Sequence, residues 1–302
     1  MANAFLVPDH IAAVAAKLVG QDLALAGMIS RDLEADFGFG SGSTVRVRVP
    51  GAVEAHVRNI YDVTNPLITS TINEQGIDVK LTDHVYNKVV LSEGTLSLDL
   101  QDFARQVLVP QTRAVARHVE RATATAMKAT PLADGLIYDP SDPARIFTAI
   151  RARLRANGVA GGTPLHAAVG STVYAALLDG PTGSAGTTFD ADGKVRGFIV
   201  VESTRLAADE IIAFVPEAFS LVVRAPLVPQ EAVAGASVTD SESGFALRHI
   251  RSYDTSLAAS TSLVSAFVGV AAMPLAVDTE DGSVDLVVNG GAVRVIAASP
   301  VQ

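Results

Sequence analysis

Residues 100–130 constrain the fold of this chain most strongly, because they carry the clearest helical period in the sequence. Pro110 has no amide hydrogen, so we place it at the first helical position, after a short lead-in helix or turn over residues 99–109. The main helix is predicted over residues 111–129, roughly 28 Å at 1.5 Å per residue, and Pro131 ends it. Small apolar side chains on one face would let a sheet approach this helix closely. The residues of that predicted inner face are Val109, Val115, Val119, Ala122, Ala126 and Ala129.

Composition narrows the class of protein. The 302 residues are enough for two or three compact units, and the absence of cysteine excludes disulfides, thiolate metal sites and a cysteine nucleophile. The low aromatic content of 5% weighs against carbohydrate and base-stacking sites. The longest apolar run, residues 263–277, is too short and too interrupted to span a bilayer, and the N-terminus has no secretory pattern. The hydrophobic fraction of 49% therefore predicts large surfaces that are buried between subunits.

The net charge of −9 lies almost entirely in residues 158–302, whereas residues 1–157 are close to neutral. An acidic chain is a poor candidate for a protein that reads DNA sequence. The basic runs within residues 105–128 and 145–155 are predicted to be solvated helix faces, and a surface facing a polyanion stays open for them.

The N-terminal third combines an arm with a ribbon. Residues 1–36 read as two short helices that cannot bury their own apolar faces, so we expect them to dock elsewhere. Residues 44–98 alternate with period two and predict a long ribbon of two or three strands, with turns near residues 64–66 and 74–76. Because an isolated ribbon is marginally stable in water, we expect it to lie on a neighbouring subunit.

The remaining chain reads as mixed helices and strands. Residues 132–222 predict an inserted α/β unit, and residues 245–272 predict two strands joined by a polar turn. Residues 274–302 predict a separate meander of three strands with hairpin turns at Asp281-Gly282 and at 289–291. The fold class is therefore α+β.

No motif in the sequence supports local catalytic or cofactor chemistry. The six histidines lack zinc-ligand spacing, residues 190–193 favour a hairpin turn over a calcium loop, and residues 180–186 lack the Lys-Ser/Thr ending of a phosphate loop. Ser171 lacks the second glycine of a nucleophile elbow. We expect no cofactor, no metal and no enzyme activity, although a triad assembled from distant residues stays open.

The order of the segments resembles the major capsid proteins of tailed phages with the HK97 fold, especially the branch related to the P22 coat protein. The resemblance covers roughly residues 1–273. Its pieces are Pro8–Ala12 and Arg31-Asp32 in the arm, Gly42–Pro50 at the start of the ribbon, Asp102–Gln106 with Pro110 before the long helix, and then Val195–Ser203 and Leu247–Asp254.

The resemblance implies a division of the chain and a set of partners. The implied parts are an N-terminal arm (1–40), an extended hairpin or E-loop (41–98), a P-domain with the spine helix (99–131 and 223–273), an A-domain (132–222) and a C-terminal β extension (274–302). The family implies hexamers and pentamers in an icosahedral shell around double-stranded DNA, which the chain would contact without sequence specificity. It also implies a separate scaffolding protein or a leader already removed, a portal, a maturation protease and optional decoration proteins. The expected location is the virion, after assembly in the host cytoplasm, with no membrane partner.

Charges on the ribbon are the predicted inter-subunit contacts, because these strands have no core of their own. The residues are Arg46, Arg48, Arg58, Asp78 and Lys80. Alternatives stay open at this stage: an encapsulin-type compartment that holds cargo enzymes, an α/β enzyme with a non-local site, and a tail-tube or adhesin protein.

Overall fold

A computed structural model describes most of the chain. The described residues are 15, 23–31, 42–49, 53, 55–61, 64, 66–72, 74–95, 102–180, 188–190, 192–230, 232, 234–239, 245–279 and 283–296. They fall into two units: unit 1 takes residues 1–43, 80–127 and 220–271, and unit 2 takes residues 44–79, 128–219 and 272–302. Most of the predicted first helix, most of the arm and residues 181–186 of the glycine-rich segment 180–186 lie outside the described residues.

Three α-helices and a series of short strands make up the described residues. The helices are α1 (Val109–Lys128), α2 (Arg145–Ala156) and α3 (Ser171–Asp179), with a π-helical segment at Ala104–Leu108 and a 3-10 turn at Pro216–Ala218. The strands are β1 (Thr44–Val49), β2 (Gln75–Lys80), β3 (Asp83–Ser92), β4 (Leu165–Val169), β5 (Lys194–Val195), β6 (Phe198–Glu202), β7 (Glu210–Phe214), β8 (Phe219–Arg224), β9 (Ala234–Thr239), β10 (Ala246–Asp254), β11 (Ala259–Ala272), β12 (Leu275–Asp278), β13 (Val284–Val287) and β14 (Ala292–Ile296).

Unit 1 is built on a sheet in which the strands follow the order β3-β11-β10-β9, with β8 also paired to β11. The strands β10 and β11 form the predicted pair, antiparallel, with Arg248 opposite Ser265 and Asp254 opposite Ala259. Strand β3 pairs antiparallel with β11. This corrects the ribbon prediction: the last of its strands belongs to the sheet of unit 1, and only β1 and β2 pair with each other.

Helix α1 has the predicted position, with Pro110 in its first turn after the π-helical segment. Its buried face differs from the predicted one, since Ala122 and Ala126 are partly exposed and Ala129 is exposed. The buried residues repeat at steps of four and include polar side chains. They are Gln111, Thr112, Val115, Ala116, Val119, Glu120, Thr123, Ala124 and Met127.

Two of these buried polar side chains hydrogen-bond α1 to neighbouring segments of the chain. Gln111 Nε2 donates to the carbonyl oxygens of Asn87 on β3 (3.1 Å) and Ser262 on β11 (3.0 Å). The Glu120 carboxylate accepts from the backbone amides of Leu25 (3.2 Å) and Ala26 (3.1 Å). Residues 23–31 of the arm are therefore held on α1 of the same chain.

Unit 2 contains a five-stranded sheet in the order β14-β7-β4-β6-β5. The strands β4 and β6 run parallel, and α3 lies in the connection between them, as a crossover of this kind requires. Strand β7 is buried along its whole length, which is why it reads as a continuous apolar run after its first residue. The core of this unit is aromatic, with Phe214 packed edge-on against Phe219 at 5.6 Å.

The C-terminal segment departs from the predicted separate meander at its last strand. Strands β12 and β13 form the expected antiparallel hairpin, but β14 pairs with β7 and closes one edge of the five-stranded sheet. Arg294 on β14 explains this register: its Nε lies 2.7 Å from Glu210 Oε1, the buried first residue of β7, and its guanidinium also donates to the Lys128 carbonyl (2.9 Å). Buried charge pairing at a distance in sequence has no local period, so the sequence pattern did not reveal it.

Candidate assembly surfaces

An exposed apolar loop is the most prominent surface of unit 2. We use the name apolar loop for residues 53–72, of which 53, 55–61, 64 and 66–72 are described. Val57 is 96% exposed, Ile60 86% and Tyr61 85%. Leu67, Ile68 and Ile72 continue the series at 76%, 69% and 65%. Contiguous exposure of this many large apolar side chains is unusual for a protein that works as a free monomer.

The described part of the apolar loop has neither helix nor strand and folds back on itself. His56 Nε2 and Ser70 Oγ are 3.2 Å apart, so the outgoing and returning chains meet at that point. The amide of Tyr61 donates to the Asn59 side chain (2.9 Å) at a turn over residues 60–61. The turn predicted at residues 74–76 is wrong, because Gln75 and Gly76 begin β2.

Charges predicted to contact a neighbouring subunit are exposed but partly matched within the chain. Arg46 Nε on β1 lies 3.9 Å from Asp78 Oδ1 on β2, with both side chains more than half exposed. Arg48, Arg58 and Lys80 are also exposed. A surface pair of this kind contributes roughly 0–1 kcal/mol. Their role between subunits stays a prediction, and the sequence reasoning missed the more prominent feature, the apolar side chains of the loop. The signal available was a cluster of large apolar residues in a segment without clean alternation.

A basic row lies on α1 of unit 1, on the side opposite its buried face. Arg113, Arg117 and Arg121 are exposed and four residues apart, which places them about 6 Å from one another along the helix. We call these three residues the arginine row. The one carboxylate within α1, that of Glu120, is buried and bonded to the arm.

Buried polar groups in unit 1 form a network whose members satisfy one another. Ser262 Oγ donates to Gln111 Oε1 (2.8 Å), so the contact between His249 Nε2 and Ser262 Oγ (3.1 Å) has the histidine as donor. Burial, and secondarily the charge of Arg251, lower the pKa of His249 to about 4. The imidazole is therefore neutral at neutral pH and pins β10 and β11 to α1.

A metal site, a membrane-spanning helix and a ligand groove each place their own requirements on the described residues. No group of three or more His, Asp or Glu side chains that could hold a metal ion occurs among them. No described helix is long and apolar enough to cross a membrane. A groove of about 490 Å³ between β3 and the start of α1 is lined by residues such as Val89, Leu91 and Pro110 and has no titratable group in its wall. Near the turn expected at residues 190–193, the Gly193 amide donates to the Asp190 carbonyl (2.9 Å).

Comparison with known proteins matches the architecture and not the sequence. No protein-family model and no curated protein matches the chain. Among solved structures, one described as Mycobacterium phage Che8 is 15% identical, covers 90% of each chain and superposes with a TM-score of 0.55. The asymmetric unit of bacteriophage PhiM1 mature capsid is 12% identical, covers 100% of this chain and 90% of that one, and has a TM-score of 0.54. The virus-like particle from Pyrococcus furiosus is 11% identical, covers 94% and 97%, and has a TM-score of 0.50.

The chain has the HK97-like fold of phage capsid proteins. The α+β class and this fold, which the order of segments predicted, are confirmed. The branch related to the P22 coat protein stays a prediction, as does the division of the chain into five parts.

Proposed function

We propose that this chain is the major capsid protein of a tailed phage, which assembles into hexamers and pentamers of an icosahedral shell around double-stranded DNA. Two things support the proposal: the HK97-like fold, and the apolar loop, whose side chains stay in water in the single chain. In a shell each chain supplies this loop to a neighbour and receives one in turn, as in a heterologous interface that closes by rotation.

The energy available from the apolar loop is sufficient for this role. Full burial of one large aliphatic side chain contributes roughly 1.5–3 kcal/mol, so the six most exposed residues of the loop offer on the order of 10 kcal/mol before the entropy of association is subtracted. Each contact is modest after that subtraction. A closed shell adds many such contacts, and the particle is stable although a single pair of chains is weakly bound.

Replacement of the loop side chains tests the proposal. The variant Val57→Ser, Ile60→Ser, Leu67→Ser and Ile68→Ser should keep the far-UV circular dichroism of the wild type, because these side chains are exposed, and should lose shells in negative-stain electron microscopy and sedimentation velocity. The control is Leu257→Ser with Val288→Ser, which removes two exposed side chains outside the loop, 69% and 78% in water. Shells of normal yield from the loop variant would contradict the proposal.

The content of the shell distinguishes the encapsulin-type alternative, because that alternative shares the fold. Shells purified after expression in the natural setting should contain double-stranded DNA, measured by nuclease-protected nucleic acid. Shells filled with a co-purifying enzyme and free of protected DNA would overturn the phage assignment while keeping the shell. A scaffolding protein, a portal and host-cytoplasm assembly belong to the same proposal and are tested by co-expression.

A further inference from the structure

We propose that the C-terminal hairpin, formed by β12 and β13, is a brace that sets the direction in which the apolar loop leaves unit 2. The inference rests on the proposed function, since it names what orients the loop toward a neighbouring chain. The sequence resemblance covers roughly residues 1–273, so it assigns no role to this segment. Every contact that carries the inference lies within unit 2.

Both ends of the hairpin are attached to one turn in the body of unit 2. Just before β12, the Met273 amide donates to the Ala218 carbonyl (2.8 Å). Beyond β13, the Gly291 carbonyl accepts from the Val215 amide (2.9 Å). Because residues 215 and 218 flank the same 3-10 turn, the two ends of the hairpin share one support.

The end of α2 holds the hairpin from a second direction. Asn157 Nδ2 donates to the carbonyl of Gly290 (3.0 Å), two residues before β14. Gly158 packs so closely on β12 that an added Cβ would lie 2.6 Å from Val277 Cγ2. Supports from two directions prevent the hairpin from turning about its own base, and this is what a brace requires.

The hairpin contacts the base of the apolar loop through Gln75. This residue is the first of β2, where the returning limb of the loop enters the strand. Its Nε2 donates to the carbonyl of Val284, the first residue of β13, at 2.7 Å, and Val284 is only 8% exposed. The Arg46 side chain of β1 lies against Gly76 with no room for a Cβ. The bond at Gln75 therefore fixes both strands at the base of the loop.

The length of the loop makes its direction sensitive to this bond. At about 3.3 Å per residue, the seven residues from Gln75 to Ile68 reach at most about 23 Å, so a rotation of about 10° at the base moves the tip by up to about 4 Å. A gap of about 1 Å already forfeits up to about half of a packed contact. Gln75 is thus a positioning residue, because it decides where the apolar side chains meet the neighbour.

The test replaces the donor of Gln75 with an acceptor of the same shape. Gln75→Glu turns a carboxylate oxygen toward the Val284 carbonyl, whereas Gln75→Lys keeps a donor that is long enough to reach it. The matched control is Gln230→Glu, which makes the same change at an exposed glutamine of unit 1. Asn157→Ala acts from the opposite side, since it releases the base of the hairpin and leaves the loop and β2 unaltered.

The readout is the direction of the loop in the unassembled full chain. Because the sequence has no cysteine, Thr69→Cys in the loop and Ala175→Cys on α3 can carry the two spin labels, both at exposed positions. Double electron–electron resonance then gives the distribution of distances between them. We expect a narrow distribution for the wild-type Gln75, for Gln75→Lys and for Gln230→Glu. Gln75→Glu and Asn157→Ala should broaden or displace it.

Shell yield of the unlabelled variants connects the brace with assembly. Gln75→Glu should form fewer shells in negative-stain electron microscopy and sedimentation velocity, and Gln75→Lys should restore them. Normal shell yield from a variant with a displaced loop overturns the inference. Loss of shells without a change in the distance distribution also overturns it, because Gln75 would then contact the neighbouring chain directly.

The distances also separate this inference from the proposed function. A wild-type distribution as broad as that of Gln75→Glu shows that no brace exists, whether or not shells form. If the wild type forms no shells, the proposed function fails, and the label distances still report on the contact between Gln75 and the hairpin. A change in distance with Gln75→Glu but not with Asn157→Ala overturns the role of the hairpin as the support.

Discussion

Arg294 is expected to be one of the most sensitive positions for the stability of unit 2. Its Nε lies 2.7 Å from Glu210 Oε1, and the Glu210 side chain is 1% exposed. The second cation, Lys128 Nζ, is 3.9 Å from the other carboxylate oxygen and is partly in solvent. Removing one partner of a buried ion pair costs about 3–5 kcal/mol, because the other charge stays buried without compensation. Arg294→Ala also removes the donor to the Lys128 carbonyl.

We therefore expect Arg294→Ala to lower the free energy of unfolding by about 4 kcal/mol, measured by urea denaturation of the unassembled chain with circular dichroism. Lys128 Nζ, 3.9 Å from Glu210 Oε2 and partly in solvent, and the amide of Ala207, which donates to the same oxygen (2.9 Å), replace the lost partner only in part. The cause of the loss is thus the stranded carboxylate, and not the missing methylene groups.

A double substitution distinguishes these causes. Glu210→Gln with Arg294→Met removes both charges while it keeps volume and an acceptor for Ala207, so it should be more stable than Arg294→Ala alone. A cost below about 1 kcal/mol for Arg294→Ala, or a double variant whose cost equals the sum of the two single substitutions, would refute the buried-pair reasoning.

Three further substitutions test contacts within the separate units. Burial lowers the pKa of His249 to about 4, so below about pH 6.5 the unfolded chain binds more protons than the folded one. The free energy of unfolding should therefore fall by about 3 kcal/mol as the pH decreases from about 6.5 to about 4. His249→Gln should remove this part of the pH dependence in urea titrations. Glu120→Gln leaves one of the amides of Leu25 and Ala26 without its acceptor and should speed hydrogen exchange at residues 25–26 at least several-fold. Unchanged exchange would contradict the conclusion that Glu120 holds this part of the arm on α1. Gly158 has φ +101° and faces the Val277 side chain, so Gly158→Ala should cost about 1–3 kcal/mol in urea unfolding, while Gly162→Ala, with open space around it, should be close to neutral.

The helix α1 shows which part of the fold could be predicted from the sequence. Its position, its length and the break before it follow from the helical period and from Pro110, because these are local properties of the chain. Its buried face did not follow, because Gln111 and Glu120 are polar and read as solvent-facing until their partners on β11 and the arm are known. A hydrophobic pattern assigns the inside of a helix only where burial is apolar.

Pairing between distant strands was the least predictable part of the fold. Strand β3 looks like one more strand of the ribbon, and β14 looks like the last strand of a meander, because sequence neighbours are the default partners of a strand. In the structure each joins a larger sheet, β3 beside β11 and β14 beside β7. The sequence pattern identifies the strands but does not show which strand each one pairs with, since pairing depends on packing across the whole unit.

The candidate surfaces differ in chemistry, and apolar and charged contacts respond to added salt in different ways. In the proposed shell the exposed side chains of the apolar loop become buried against a neighbour, so these contacts should persist or strengthen as sulfate salts are added, whereas contacts between exposed charges weaken as salt screens them. Shell yield, measured by sedimentation velocity, should therefore hold or rise as sodium sulfate is added. A loss of shells with added sulfate would mean that charged residues such as Arg46 and Arg48, and not the loop, hold the neighbouring chains together.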